Sequence, residues 1–159
     1  MSTLEKAIDI ATRAHAGTTD RQGQPYILHP LRVMLGVEGD DAKIVAALHD
    51  VVEDTEITLD DLRQEGFGLP VIDALERVTH DEDRQSYADY VIGCKGNDLA
   101  TQVKLSDLAD NASLQRVLLR PDSFKKDSKR LHRYVLSYRY LTDQLSEADY
   151  RRLMKDFEK

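Results

Sequence analysis

The sequence has no tryptophan, a single cysteine, and only 6% aromatic residues. With so few rings, the core must be built from Leu, Ile, Val and Ala. The lone cysteine, Cys94, cannot close an internal disulfide, which points to a reducing compartment. Nothing around Cys94 marks it as an activated nucleophile, so a buried structural thiol is expected. No apolar run approaches the roughly 20 residues that a membrane-spanning helix needs. The opening stretch, MSTLEKAIDIATRAH, reads as an amphipathic helix rather than a secretory signal. A cytoplasmic protein with no membrane partner is therefore expected. Positive charge is also in deficit: 22 Lys and Arg stand against 29 Asp and Glu, a net charge of −7. A chain of that sign repels a phosphate backbone, which argues against nucleic acid as a partner. A small phosphorylated substrate stays open, because a bound cation reverses the local sign.

Strand signals are missing as well. No alternation of apolar and polar residues is sustained, and no Asn-Gly hairpin turn occurs. Internal repeats, low-complexity tracts and linkers are absent. The periodicity present is helical. Leu4, Ile8, Ala11, Ala14 and His15 recur every three to four residues, and Gly17 ends that stripe. A polar loop, TTDRQGQPY, precedes a helix opening near His29 and Pro30. KIVAALHDVVEDT reads as one strongly apolar helix. Thr58 with Asp61, and Ser146 with Asp149, read as capping boxes. Further helices are expected near 70–78, over SYADYVIGCKG, over NDLATQVKLSDLADNASLQ, around 125–143 and from Ser146. Hydrophobic residues at 41% and charged residues at 32% fit a folded globular chain. The expectation is one all-α domain over residues 1–159, a bundle of about eight or nine helices.

Two His–Asp dipeptides occur, His49–Asp50 and His80–Asp81, so the dipeptide alone decides nothing. Context separates them. His80–Asp81 lies in a polar stretch at a helix end, where a solvated surface role is expected. His49–Asp50 sits between Ile44–Leu48 and Val51–Val52. Two ionisable groups in such an apolar segment are costly unless paired or bound to a metal. Glu53 lies four residues after His49, and Asp54 four after Asp50, so each pair shares a helical face. An exposed acidic helix end capped by Thr55 is the competing interpretation. A second cluster, VKLSDLADN, sets Asp107 in an apolar frame, with Lys104 one turn before it and Asn111 one turn after. Asp110 reads as a solvated residue of an amphipathic helix. His29 adds a second imidazole. Two His and two carboxylates form a mixed nitrogen and oxygen set that suits Mn, Fe or Zn. The basic stretch 125–134 reads either as a phosphate-neutralising cluster or as a solvated face; both stay open for Arg130, while Lys125 and Lys126 read as solvated. Tyr87 and Tyr90 read as core or rim residues rather than base-stacking ones.

The order AHAG, GQPYILHP, ALHDVVEDT, TLDDLRQEGFG and VKLSDLADN resembles the hydrolase domain of RelA/SpoT-type proteins, and more closely the stand-alone small alarmone hydrolases. The resemblance covers residues 4–115. It implies an HD-domain helical bundle with His29, His49, Asp50 and Asp107 holding one divalent ion, usually manganese. Glu53 and Asp54 would position and deprotonate the attacking water. Asn111 would touch the sugar or a phosphate. Arg21, Lys104, Arg130 and Tyr134 complete the implied substrate contacts. The implied reaction removes the 3′-pyrophosphate from an alarmone such as (p)ppGpp or (p)ppApp, the chemistry of the stringent response, without a synthetase activity. One departure stands out. Relatives usually carry two adjacent basic residues before the SGEPY-like segment, and the first helps hold the purine; here the pair is Asp20–Arg21. That leaves guanine, adenine and other nucleotides open. Two further functions share part of the pattern: a general HD nucleotidase releasing inorganic phosphate, and a non-catalytic alarmone-binding sensor. The sequence leaves the oligomeric state open.

Overall fold

The structure, a computed structural model, describes residues 3–114, 116 and 121–157. Among these, the architecture is all-helical, with one isolated β-bridge between Thr19 and Pro25. The elements are α1 (Leu4–Ala14), α2 (Leu28–Leu35), α3 (Asp40–Leu48), α4 (Val51–Asp54), α5 (Leu59–Gln64), α6 (Leu69–Val78), α7 (Tyr87–Lys95), α8 (Asp98–Asn111), a 3₁₀ turn (Pro121–Ser123), α9 (Phe124–Leu141) and α10 (Glu147–Met154). None is long and apolar enough to cross a membrane.

Local sequence sets the helix starts. Thr3, Ser86, Asn97 and Ser146 each accept a backbone N–H in the first turn of their helices, satisfying donors that a helix start leaves orphaned. Thr58 and Asp61 form the expected capping box of α5. At Ser146 the side chain accepts the Asp149 N–H, and its hydroxyl donates to the Asp149 carboxylate.

The central helix is α3, which packs against α1, α2, α6 and α8. Ala42 and Ile44–Leu48 are all buried, which explains their continuous apolar run. Around them lie Ala7, Val33, Leu62, Ile72, Leu75, Val103 and Leu108. A Cβ at Gly36, just past α2, would collide with the Ser106 hydroxyl of α8. That hydroxyl donates to the Val33 carbonyl at 2.8 Å. Glycine thus lets α2 and α8 approach closely, and this brings His29 beside Asp107. Cys94 is buried as expected; its thiol meets the Arg77 carbonyl at 3.2 Å, and burial pushes it up to about 11.

One expectation changes. KIVAALHDVVEDT is not one helix but two, α3 and α4, interrupted at His49–Asp50. The Ala46 carbonyl, which an unbroken α-helix would give to the residue-50 N–H, accepts the His49 Nδ1–H at 2.8 Å. The interruption sets both ionisable side chains at a junction rather than along a rod.

Candidate active site

His29 from α2, His49 and Asp50 from the α3–α4 junction, and Asp107 from α8 converge. His29 Nε2 lies 3.2 Å from Asp107 Oδ1 and 3.5 Å from Asp50 Oδ2. His49 Nε2 lies 3.1 Å from Asp50 Oδ1 and 3.8 Å from Asp107 Oδ1. One ligand atom from each of His29, His49 and Asp50 falls within 4.8 Å of the other two. Both ring orientations are fixed from behind. A carbonyl can only accept, so the His49 Nδ1 bonded to Ala46 carries the proton and Nε2 presents a lone pair. That Nε2 is buried with no hydrogen-bond partner. His29 Nδ1 bonds Asp110 Oδ2 at 2.7 Å, which turns its Nε2 toward the cluster. A carboxylate or carbonyl on the far ring nitrogen is the usual support of a metal-binding histidine. An orphaned buried nitrogen beside oxygen donors fits a divalent cation.

Without such an ion the surrounding carboxylates favour the protonated imidazoles. Burial alone would lower the His29 pKa, but its bonds to Asp107 and Asp110 and the nearby charges outweigh burial and push it up to about 9. His49 shifts the same way: burial opposes, while Asp50 and Asp107 raise it. Asp107 is held well below the usual carboxylate range, burial being overcome by Lys104, His29 and His49. Its Oδ2 accepts from Lys104 Nζ at 2.7 Å, and its Oδ1 from Asn111 Nδ2 at 2.6 Å.

Glu53 and Asp54, on α4, face the same cavity. The backbone N–H of His80 donates to Glu53 Oε2 at 2.8 Å, which fixes that carboxylate. Burial nevertheless pushes Glu53 up to about 7, with Asp50 adding to the shift. Burial and Asp50 raise Asp54 also. The Tyr26 hydroxyl donates to Asp50 Oδ2 at 2.7 Å. A carboxylate near neutrality beside a cation-binding cluster is equipped to take a proton from water.

The cavity holding these groups has a volume of about 400 Å³. Its lining includes the His–Asp cluster with Glu53 and Asp54, and the cations Arg21, Arg116 and Arg133. Tyr87, Tyr90 and His80 form an aromatic wall, with His80 stacked on Tyr90 at 4.7 Å between ring centroids. A smaller annex of about 40 Å³ is lined by Arg21, Gln22, Asn111, Arg116, Asp127, Arg130, Leu131 and Tyr134.

All four expected metal-binding residues and both expected water-activating carboxylates thus share one cavity. Arg21, Asn111 and Tyr134 line both cavity and annex, while Arg130 lines the annex and pairs with Asp127 at 3.4 Å. Lys104 lines the main cavity, but it is buried and its ammonium already bonds Asp107.

Three residues correct the sequence reading. Asp110 is not solvated: it bonds His29, Arg32 and Arg116, and these partners hold its carboxyl far below the usual range against burial. His80 is not a free surface residue; its backbone anchors Glu53 and its ring walls the cavity. Arg116 escaped notice altogether. Its Nη1 bonds Asp110 Oδ2 at 2.6 Å and Asn111 Oδ1 at 3.1 Å, and its carbonyl accepts from Gln22 at 2.9 Å. No spacing signal marks it, because α8 ends at Asn111 and Arg116 lies beyond it.

Comparison with known proteins now has a geometry to rest on. The profile of the HD domain family matches residues 7–120, and the chain belongs to that family. Within it, the chain is of the RelA/SpoT type. A GTP pyrophosphokinase of Streptomyces antibioticus is 34% identical over 145 residues, 83% of this chain and 17% of that protein. A guanosine-3′,5′-bis(diphosphate) 3′-pyrophosphohydrolase of Aquifex aeolicus is 31% identical over 137 residues, 79% of this chain and 19% of that protein. The chain therefore spans under a fifth of the length of these two relatives. A solved metazoan ortholog of SpoT, described as hydrolysing ppGpp, superposes with a TM-score of 0.63 at 20% identity. It covers 91% of this chain and 96% of that one, and it shows the fold.

Proposed function

We propose that this chain is a divalent-metal-dependent hydrolase that removes the 3′-pyrophosphate from a purine alarmone such as (p)ppGpp or (p)ppApp. The observation that carries the reading is the bare, buried His49 Nε2 within a four-residue nitrogen and oxygen set, beside a carboxylate pushed up to about 7. His29, His49, Asp50 and Asp107 would hold the ion, with manganese the favoured identity for this mixed donor set. A bound divalent ion supplies Lewis acidity toward a phosphoryl oxygen and lowers the pKa of water. The chain's own residues do the rest. Glu53, held by the His80 N–H, accepts the proton from the attacking water at its free carboxylate oxygen, and Asp54 orients that water from the same turn. Arg21, Arg116 and Arg133, which line the same cavity, neutralise phosphates. Tyr134, Asn111 and Arg130 line the annex that takes the remainder of the nucleotide.

Asp20 leaves the base open in a specific way. Its Oδ1 accepts from the Gln22 and Gln24 N–H groups at 2.9 and 3.0 Å, so the residue shapes the loop. The cation that relatives carry here is replaced by Arg116, whose Nη2 lies 3.9 Å from Asp20 Oδ2. The test is turnover of guanosine and adenosine tetraphosphate alarmones side by side with manganese, with products identified. Pyrophosphate release from either supports the reading, and the ratio gives base choice. Release of inorganic phosphate instead, or tight binding without turnover, would refute it.

A further inference from the structure

Helix α9 carries a concentration of positive charge on its outer side. Lys126, Lys129, Arg130 and Arg133 recur at three- and four-residue spacing, so they share one helical face. With Phe157, beyond α10, they line a half-open cavity of about 230 Å³. Among the described residues no carboxylate lines it, although Arg130 also pairs with Asp127 at 3.4 Å and the chain's net charge is −7. Lys126 and Lys129 are exposed and make no ion pair among the described residues, whereas many surface cations here do, such as Lys6, Arg13, Arg63 and Arg151. Like charges stacked on one helical face destabilise a helix unless an anion lies between them.

Two of the four residues also reach inward. Arg130 lines the annex and Arg133 the main cavity, where its guanidinium lies 4.1 Å over the Tyr87 ring. The outer cavity is therefore joined to the candidate active site through two side chains while opening separately to solvent.

We propose that this outer cavity binds a diphosphate group, as a site distinct from the candidate metal centre. Two arginines offer planar forks of donors and two lysines offer point charges, a combination suited to adjacent phosphoryl groups. Phe157, in tilted contact with His132 at 4.9 Å, gives the cavity one aromatic wall. The diphosphate has two possible sources with the same chemistry: free pyrophosphate, or the 5′-diphosphate of a nucleotide whose base lies against Phe157. The site rests on charge and shape alone and stands apart from the hydrolase reading.

The test uses the full chain in EDTA, with inorganic pyrophosphate as the probe and GDP in a parallel arm. Binding is followed by calorimetry and by backbone amide shifts. The charge-reversal variant Lys126→Glu/Lys129→Glu changes two exposed side chains that lie outside the candidate active site. Its melting temperature is measured alongside to show that it folds. Pyrophosphate is expected to bind the parent chain, to weaken at least tenfold in the variant, and to weaken with added salt. Amide shifts should cluster at residues 126–133 and at Phe157. Tighter GDP binding, with shifts of the Phe157 ring, identifies a nucleotide as the source; GDP no tighter than pyrophosphate identifies the free anion. Undetectable binding to the parent chain, or equal affinity in parent and variant, overturns the site.

Discussion

Replacing Lys104 by methionine keeps the bulk of the stem and removes only the ammonium. Lys104 and Asp107 are each 6% exposed, and their charged atoms lie 2.7 Å apart. The ammonium also sits over the Tyr90 ring at 4.8 Å. In Lys104→Met, Asp107 Oδ2 loses a buried partner that water cannot replace. Breaking a buried pair from one side typically costs about 3–5 kcal/mol. Asp107 keeps its Asn111 bond and still faces both histidines, which places the expected loss near the lower figure. At ~2–4 °C per kcal/mol for a chain of this size, a loss of about 3 kcal/mol is roughly 6–12 °C in melting temperature. Metal should change the result. A divalent ion among His29, His49, Asp50 and Asp107 gives Asp107 a new cation, so saturating manganese should narrow the gap between parent and variant. The assay is thermal unfolding by circular dichroism, in EDTA and in manganese. A variant melting within 2 °C of the parent in EDTA would refute the buried-charge argument. A gap of the same size in both conditions would refute the placement of Asp107 in the metal set.

Further outcomes are expected at three residues. Glu53→Gln should lower kcat by ~10²–10⁴ while manganese binding is retained. In the parent, log kcat/KM should rise with pH and level off at or below about 7, because Glu53 accepts a proton only when ionised and bound metal lowers its pKa further; a limb well above that value would count against it. Asp110→Asn should weaken metal affinity by ~10–100-fold, measured by competition with a chromogenic chelator. The same variant should flatten acid unfolding: Asp110's folded pKa is depressed, so its contribution is present above about pH 4 and lost as pH falls through the folded value. Asp20→Ala removes the acceptor of two loop N–H groups and should cost roughly 1 kcal/mol in urea unfolding. It should also change the ratio of guanosine to adenosine turnover; an unchanged ratio would remove Asp20 from base selection.

The helical class and most helix positions were legible because amphipathic periodicity and capping residues are local. Thr58 with Asp61 showed the start of α5 from four residues of sequence. The break between α3 and α4 was not legible. No Gly or Pro marks a break between Ile44 and Val52, and at the interruption the His49 ring bonds the Ala46 carbonyl. That is a side-chain choice made by tertiary packing, and no propensity scale records it.

The candidate site divides along the same line. His49, Asp50 and Asp107 stood out because ionisable groups in apolar frames are expensive; Glu53 and Asp54 followed from their four-residue spacing to that pair, and His29 only as a second imidazole for the set. Asp110 and Arg116 had no such frame. Asp110 lies on the more polar side of α8, and Arg116 follows beyond its end, so each alone reads as surface. Only the approach of α2 toward α8, permitted by the glycine at position 36, turns Asp110 into the support of His29. Arg116 then closes over that carboxylate and reaches toward Asp20. Asp20 and Arg116 lie 96 positions apart, where no spacing rule connects the two.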